Sequence, residues 1–394
     1  MNAELDQYRA QCRTWLAENA PRFGKRQELS VDEQIALARQ WQALKADAGY
    51  AAITLPVEYG GAGKSELHKI VFSEEEMRHD VPRQYFIISL SNALPTFLHY
   101  GQNEELKREL GPRAVRGEQL WCQLFSEPGA GSDLAAVRLK AERDGGDWVL
   151  NGQKLWTSWA QIADWGVILT RTDPTVPKHK GLTYFFVNMK SPGIEVRPVK
   201  RFTGDEDLNE VFFNDVRVPD SQRLGEVNGG FMVALHTLMM ERYAVSSVNA
   251  PLAEIIELAK TATVGGRPAL EESGIREAIA DTFIEQQGLR NIHRRAVQAI
   301  SEGGSPGPEG AIRKLLMGES LLRAGKLAMD LQGPEGLRAG RDGSGRFARS
   351  WLNAPVLRIA GGTDEVLKNT VAERILGLPQ EMRPDKGKAF NELV

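Results

Sequence analysis

The chain has 394 residues, 42% of them apolar and 26% charged, with a formal net charge of −3. That length supports two or three domains with sizeable cores, and the charge balance leaves no basic footprint for nucleic acid. No run of about 18 apolar residues occurs, so no membrane span is expected, and the two cysteines, Cys12 and Cys122, rule out a disulfide framework and point to a reducing cytoplasm.

Residues 1–118 predict a helical domain. Leu5, Tyr8, Cys12, Trp15 and Leu16 recur at three- and four-residue steps, the period of an amphipathic helix. Ser30-Val31-Asp32-Glu33 reads as a capping box, in which the serine caps the helix start and the glutamate reaches back. Ile35, Leu37, Trp41 and Leu44 continue the apolar stripe. The glycines between Pro56 and Gly63 demand a loop. The first residues, Met1 to Asp6, lack the basic and apolar regions of a secretory signal.

From 119 to 225 the texture changes. Trp148-Val149-Leu150, Gly166 to Thr170 and Leu182 to Val187 are short and rich in β-branched or aromatic residues. Turn residues separate them: Gly145-Gly146-Asp147, Asn151-Gly152 and Ser191-Pro192-Gly193. Such spacing predicts a small antiparallel barrel or sandwich, with Asn151-Gly152 as a hairpin turn.

From about 228 to 378 helical periodicity returns. Met232, Leu235, Leu238 and Met239 share one face, expected to be buried, and Leu252, Ile255, Ile256 and Leu258 continue the pattern. Loops are expected at Ser301 to Pro308, at Gly333 to Gly336 and at Arg341 to Gly345. The Pro- and charge-rich tail from Gln380 is expected to fray. The six histidines are scattered and form no helical pair with ligand spacing, so no metal site is expected.

One stretch names a cofactor. Gln123-Leu124-Phe125-Ser126-Glu127-Pro128-Gly129-Ala130-Gly131-Ser132-Asp133, followed by Leu150-Asn151-Gly152-Gln153-Lys154-Leu155-Trp156-Thr157-Ser158, resembles the flavin-binding segments of the acyl-CoA dehydrogenase family. Asn209 to Pro219, Gly225 to Phe231, Gln332 to Leu337 and Gly362 to Val366 extend the resemblance over essentially the whole chain. The resemblance implies an α+β multidomain fold: an N-terminal helical domain (1–118), a central antiparallel β-barrel domain (119–225) and a C-terminal four-helix bundle (226–394). It also implies FAD as cofactor, an acyl-CoA thioester as substrate, an electron-transfer flavoprotein as acceptor, and a homo- or hetero-oligomer such as a tetramer.

The family's reaction forms an α,β-double bond, and it needs a fixed flavin, donors to the thioester oxygen and a carboxylate facing the α-carbon. By resemblance, Gln123, Phe125 and Ser126 lie on one side of the flavin, with Trp156 and Ser158 on the other. Thr363 and Glu365 belong to a further cofactor-contacting turn. Ser132 matches the position that meets the thioester or pantetheine, although a local turn cap explains it equally well. Arg267 resembles an arginine that reaches the FAD pyrophosphate across a dimer interface, a task suited to a guanidinium fork. Leu270-Glu271 stands where the family usually has Phe-Gly, so a solvated arginine remains an alternative.

The family's usual base is a glutamate directly before Gly-Thr. Here that position is Gly361, which keeps a backbone N–H for the thioester oxygen but has no carboxylate. Relatives such as isovaleryl-CoA dehydrogenase carry the base on the first long C-terminal-domain helix, directly before an arginine. Glu241-Arg242 occupies that place, making Glu241 the candidate base and Arg242 its orienting partner; a solvated Glu-Arg pair is the plainer reading. Gly361 also enlarges the cavity, and heteromeric members acting on steroid side chains carry a similar Gly-Gly-Thr. Three readings follow: an acyl-CoA dehydrogenase, a non-catalytic or co-catalytic subunit of a heteromeric one, and an oxidase or monooxygenase on the same fold.

Overall fold

The computed structural model describes residues 3–24, 29–244, 251–304, 309–338 and 345–393. The chain forms two compact units, Met1–Ala244 together with Met382–Val394, and Val245–Glu381.

The first unit opens with helices α1 (Ala3–Asn19), α2 (Val31–Asp47), α3 (Glu66–Glu76), α4 (Leu94–Tyr100) and α5 (Glu104–Val115). The predicted stripe closes the core: Tyr8, Cys12 and Leu16 pack with Phe23, Trp41, Ile53 and Phe72. The capping box is present, with Glu33 N–H donating to Ser30 Oγ and Ser30 N–H donating to Glu33 Oε2. It starts α2 where the sequence indicates.

The central strands are β1 (Trp121–Leu124), β2 (Lys140–Asp144), β3 (Asp147–Ser158), β4 (Trp165–Arg171), β5 (Leu182–Asn188), β6 (Ile194–Val199), β7 (Leu208–Pro219) and β8 (Arg223–Leu224). They form one eight-stranded sheet in the order β6-β7-β3-β2-β4-β5-β8, with β1 beside β4. The sheet is mainly antiparallel, as expected, and two contacts are parallel: β1 with β4, and β2 with β4 at Lys140↔Arg171. β4 and β5 are apolar on both faces because the helices and the other strands cover them.

Asn151-Gly152 is not a hairpin turn. Both residues lie inside β3, where the register against β7 shifts between Leu150 and Gly152. Gly152 takes a φ of 144°, and a Cβ there would sit 2.9 Å from Leu139 Cα, so the bulge accepts only glycine. Asn151 and Asp215 bridge the bulge with reciprocal 2.9 Å hydrogen bonds. The turn expected at Gly145-Gly146 is present and joins β2 to β3, between Asp144 and Asp147.

Helix α6 (Gly230–Ala244) corrects a second expectation. Its methionine face is open: Met232 is 66% and Met239 52% exposed. Val233, Ala234 and Thr237 are the buried positions. The cause is Gly230, where a Cβ would lie 2.6 Å from the Thr183 carbonyl carbon. That approach sets the helix against β5 by its small-residue side. Thr237 Oγ1 shares hydrogen bonds there with Thr96 and Tyr184.

The tail is not frayed. Pro177 bridges Ala389 in antiparallel fashion, Phe390 N–H donates to Val176 O (2.9 Å) and Asn391 N–H to Pro174 O (2.9 Å). Phe390 is buried and Asp385 pairs with Lys178. Composition alone suggested fraying, but these backbone partners and one aromatic anchor hold the segment. Hydrogen bonds from Lys178, then from Arg383, keep the Asp385 carboxyl well below the usual carboxylate range. A depressed carboxyl stabilises the fold at all pH values above its ordinary value and loses that contribution as pH falls through the lowered one. The strap is therefore expected to stay docked to about pH 4 and release only in stronger acid. Amide exchange at 389–391 across a pH series checks this; release near pH 6 would contradict it.

The second unit contains α7 (Leu252–Thr261), the two-residue strands β9 (Thr263–Val264) and β10 (Arg267–Pro268), then α8 (Ser273–Ser301), α9 (Glu309–Gln332), α10 (Arg346–Ile359) and α11 (Asp364–Arg374). Ile255, Leu289, Met317, Leu321, Ala324, Ala328, Phe347 and Ala354 form its core. The expected turn at Gly333–Leu337 is a short 3-10 segment. Of the loop expected from Ser301 to Pro308, α8 still includes Ser301, residues 302–303 follow it as a turn, and 305–308 lie outside the described residues, as do 341–344 of the loop expected from Arg341 to Gly345.

Candidate active site

β1 ends at Leu124 and delivers Phe125 and Ser126 to the edge of the sheet. Gln123 is half-buried, its Oε1 accepting from Asn92 Nδ2 at 3.0 Å. Phe125 is buried with its ring edge-on to Tyr184, and half-buried Ser126 accepts from Leu155 N–H at 2.8 Å. This backbone bond ties the two flavin-like segments together side by side.

A second tie runs beneath it. Lys154 has no exposure, and its Nζ donates to Phe125 O (3.0 Å), Glu127 Oε1 (2.8 Å) and Leu169 O (2.7 Å). Glu127 in turn accepts from Arg138 N–H (2.6 Å) and Leu139 N–H (3.0 Å). Burial pushes the Lys154 ammonium down, and the Glu127 carboxylate opposes that fall. Neither residue was among the sequence candidates. The signal was available: Lys154 keeps the inward phase of Trp148 and Leu150 along β3, where a charge needs a partner.

Beyond Lys154 the strand breaks register again, before Thr157. Trp156 sits at this bulge with a left-handed φ of 62° and is 55% exposed. Such backbone is costly for a bulky residue, so the bulge holds the indole outward at a price in local strain. Ser158 follows at the strand end and is half-buried, and buried Thr157 Oγ1 has no hydrogen-bond partner among the described residues.

The loop after Ser126 folds on itself through paired bonds between Glu127 and Ala130. Nothing lies within 4 Å of a Cβ built on Gly129 or Gly131, so this loop presents an open backbone surface. Ser132 is exposed beside Asp133, which pairs with Lys178 Nζ at 2.5 Å. Arg171 closes the far side: its Nη2 donates to Ala135 O (2.5 Å), its Nε to Val137 O (3.3 Å) and its Nη1 to Lys178 O (2.7 Å). Burial pushes the Arg171 guanidinium down to about 10.

The remaining candidates lie on the second unit and on α6. Gly361 and Gly362 turn with φ of 66° and 100°, and Lys314 donates to Gly362 O. Thr363 caps α11, accepting from Val366 N–H at 3.3 Å, and exposed Glu365 stands in the first turn. Arg358 pairs with buried Asp364 at 2.5 Å and holds the turn. Arg267 is exposed on its hairpin and pairs with Glu272 at 2.6 Å. Glu241 and Arg242 lie in the last turn of α6, and their side chains are outside the described residues.

Models of the acyl-CoA dehydrogenase N-terminal, middle and C-terminal domains match residues 2–118, 122–216 and 228–376. This chain belongs to the acyl-CoA dehydrogenase family. Acyl-CoA dehydrogenase IpdE1 of Mycobacterium tuberculosis is 36% identical over 96% of this chain and 99% of its own length. Acyl-CoA dehydrogenase FadE34 of the same organism is 40% identical over 86% of this chain, but the match spans only 46% of that longer relative. Among solved structures, the ChsE4–ChsE5 complex from Mycobacterium tuberculosis superposes with a TM-score of 0.80 at 29% identity, covering 97% of this chain and 99% of the other. The structure titled Tcur3481–Tcur3483 steroid ACAD gives 0.81 at 26% identity, over 97% and 99%.

The family's cofactor is FAD, and the acyl-CoA dehydrogenase fold seen here has features that suit a flat heteroaromatic ring. A half-exposed indole in strained backbone, half-buried Gln123, Ser126 and Ser158, and the open faces of Gly129 and Gly131 stand on neighbouring segments. By the family resemblance, Gln123, Phe125, Ser126, Trp156 and Ser158 are the candidates to hold the ring. Trp156→Ala is expected to weaken flavin retention about tenfold, the worth of one aromatic contact. The flavin-to-protein absorbance ratio after gel filtration measures it; an unchanged ratio would remove Trp156 from the site. Among the described residues no helix is long and apolar enough to cross a membrane.

Proposed function

We propose that this chain dehydrogenates a bulky or branched acyl-CoA thioester with Glu241 as the base. The observation that carries this reading is Gly361, a left-handed glycine where the family's usual carboxylate stands. A base must then come from elsewhere, and position 241 follows Gly230, Ala234 and Thr237 along one stripe of the α6 backbone, where Ala234 and Thr237 are buried.

Glu241 takes the α-proton, and Arg242 orients its carboxylate. Gly361 N–H donates to the thioester oxygen as charge builds on it. Ser132 meets the thioester or pantetheine, Arg267 reaches the FAD pyrophosphate, and Thr363 and Glu365 contact the cofactor. FAD held by Gln123, Phe125, Ser126, Trp156 and Ser158 would supply a hydride acceptor for the β-carbon, and an electron-transfer flavoprotein would take the electrons onward. A side chain reduced to hydrogen at 361 leaves room for a bulky acyl group, consistent with a relative whose title names a steroid substrate class.

A second reading has this chain as one subunit of a heteromeric dehydrogenase. It is favoured by Gly361 and by two similar structures that are two-component assemblies by title. One experiment addresses both. The flavin-loaded chain is purified alone and from its native host, and challenged with straight-chain, branched and steroid-side-chain acyl-CoA thioesters while flavin absorbance is followed. Bleaching by the lone chain with branched or steroid thioesters supports the first reading. Bleaching only with a co-purifying homologue supports the second. Activity on straight-chain thioesters alone would overturn the bulky-substrate assignment.

A further inference from the structure

The loop that carries Ser132 is gripped from both sides by cations, and both cations are covered by the far end of the chain. Lys178, with a side chain only 11% exposed, reaches Asp133 at 2.5 Å and Asp385 at 2.6 Å. Arg171 holds Ala135 O and Val137 O, and its guanidinium lies 4.0 Å over the Phe390 ring. The strap is itself fixed by backbone bonds from Phe390 and Asn391 to the 174–176 segment. Residues some 250 apart in sequence therefore share two cations with the loop next to Ser132.

We propose that the C-terminal strap, residues 382–393, positions the Ser132 loop for acyl-CoA, with Lys178 as the positioning residue. This rests on the reading of Ser132 as a thioester-side contact. The physical basis is geometric. Ser132 precedes Asp133, whose half-exposed carboxylate is anchored by the Lys178 ammonium. Asp385 supplies the second carboxylate that keeps this ammonium in place. Phe390 covers the Arg171 guanidinium, which keeps water from competing for the Ala135 and Val137 carbonyls and adds a cation–π contact. A loop held in this way meets its ligand without first losing conformational freedom.

The test uses the flavin-loaded protein and five single variants: Asp385→Asn, Phe390→Ala, Lys178→Met, Lys178→Arg and Ser132→Ala. Hydrogen exchange of the 129–137 amides, flavin content, melting temperature, KM and kcat are measured, with the acyl-CoA that turns over fastest in the panel above. Asp385→Asn and Phe390→Ala are expected to speed exchange at 129–137 about tenfold and to raise KM about five- to tenfold, with kcat and flavin content retained, and Lys178→Met to do the same. Lys178→Arg is expected to keep most of the wild-type KM. Unchanged exchange at 129–137 with only a lowered melting temperature would overturn the proposal, since the strap would then be merely structural. Faster exchange with unchanged KM, while Ser132→Ala raises KM, would also overturn it. If Ser132→Ala leaves KM unchanged as well, the reading of Ser132 fails separately, and faster exchange then supports the strap as the loop's positioning element while unchanged exchange refutes it.

Discussion

With Glu241 proposed as the base, Glu241→Gln is expected to yield a yellow protein whose flavin is no longer bleached by acyl-CoA. Glutamine has the volume and hydrogen-bonding reach of glutamate but cannot take a proton at neutral pH. Turnover is expected to fall by about 10²–10⁴-fold, the usual contribution of a positioned general base. Flavin content and thioester binding should be retained, because neither calls on the carboxylate as a base. Single-turnover bleaching in a stopped-flow instrument separates the chemical step from binding. The variant is made both in the lone chain and, if a homologue co-purifies, in the assembly. Wild-type turnover in Glu241→Gln would place the base on another residue or on a partner chain, and would favour the two-subunit reading. Gly361 makes this result informative, since no carboxylate stands at the family's other position to mask the loss.

Lys154→Met is expected to be the most damaging single change to the scaffold of the flavin site. It keeps an apolar stem of similar length but removes the ammonium that serves Phe125 O, Glu127 and Leu169 O. The Glu127 side chain, only 6% exposed, is left as a buried charge with backbone donors alone. Breaking a buried pair in this way costs about 3–5 kcal/mol, which for a unit of this size lowers the melting temperature by roughly 10 °C. The end of β1 should loosen and flavin retention fall with it. The double variant Lys154→Met, Glu127→Gln removes both charges and should recover much of the loss. Thermal melts and the flavin-to-protein ratio report the two effects. A Lys154→Met protein that melts and retains flavin like wild type would refute the role assigned to the pair.

Much of the fold was legible because its signals are local. The capping box at Ser30 and Glu33 uses residues three apart, and the apolar strands β4 and β5 announce a sheet covered on both faces. The two flavin-like segments stand out because their order and spacing are those of a known family. Asn151-Gly152 misled for the same local reason. The pair is a strong turn signal, yet here it forms a bulge, because Leu139, just before β2, and Asp215 on β7 determine what the backbone does. The face of α6 was misassigned because hydrophobicity alone cannot tell a core stripe from an open one. Gly230, through its close approach to Thr183, turned the small residues inward.

By its own sequence this protein is determined to be a member of the acyl-CoA dehydrogenase family, helical at both ends with a sheet between, built for FAD and lacking the carboxylate at Gly361. These are properties of residue identity and near-neighbour spacing. The tertiary structure decided which charges are shared. Lys154 with Glu127, and Lys178 with Asp133 and Asp385, join residues between 27 and 207 positions apart. A buried or half-buried cation recruits whichever carboxylate and carbonyl groups the fold brings within reach, and that distance is set in space rather than along the chain.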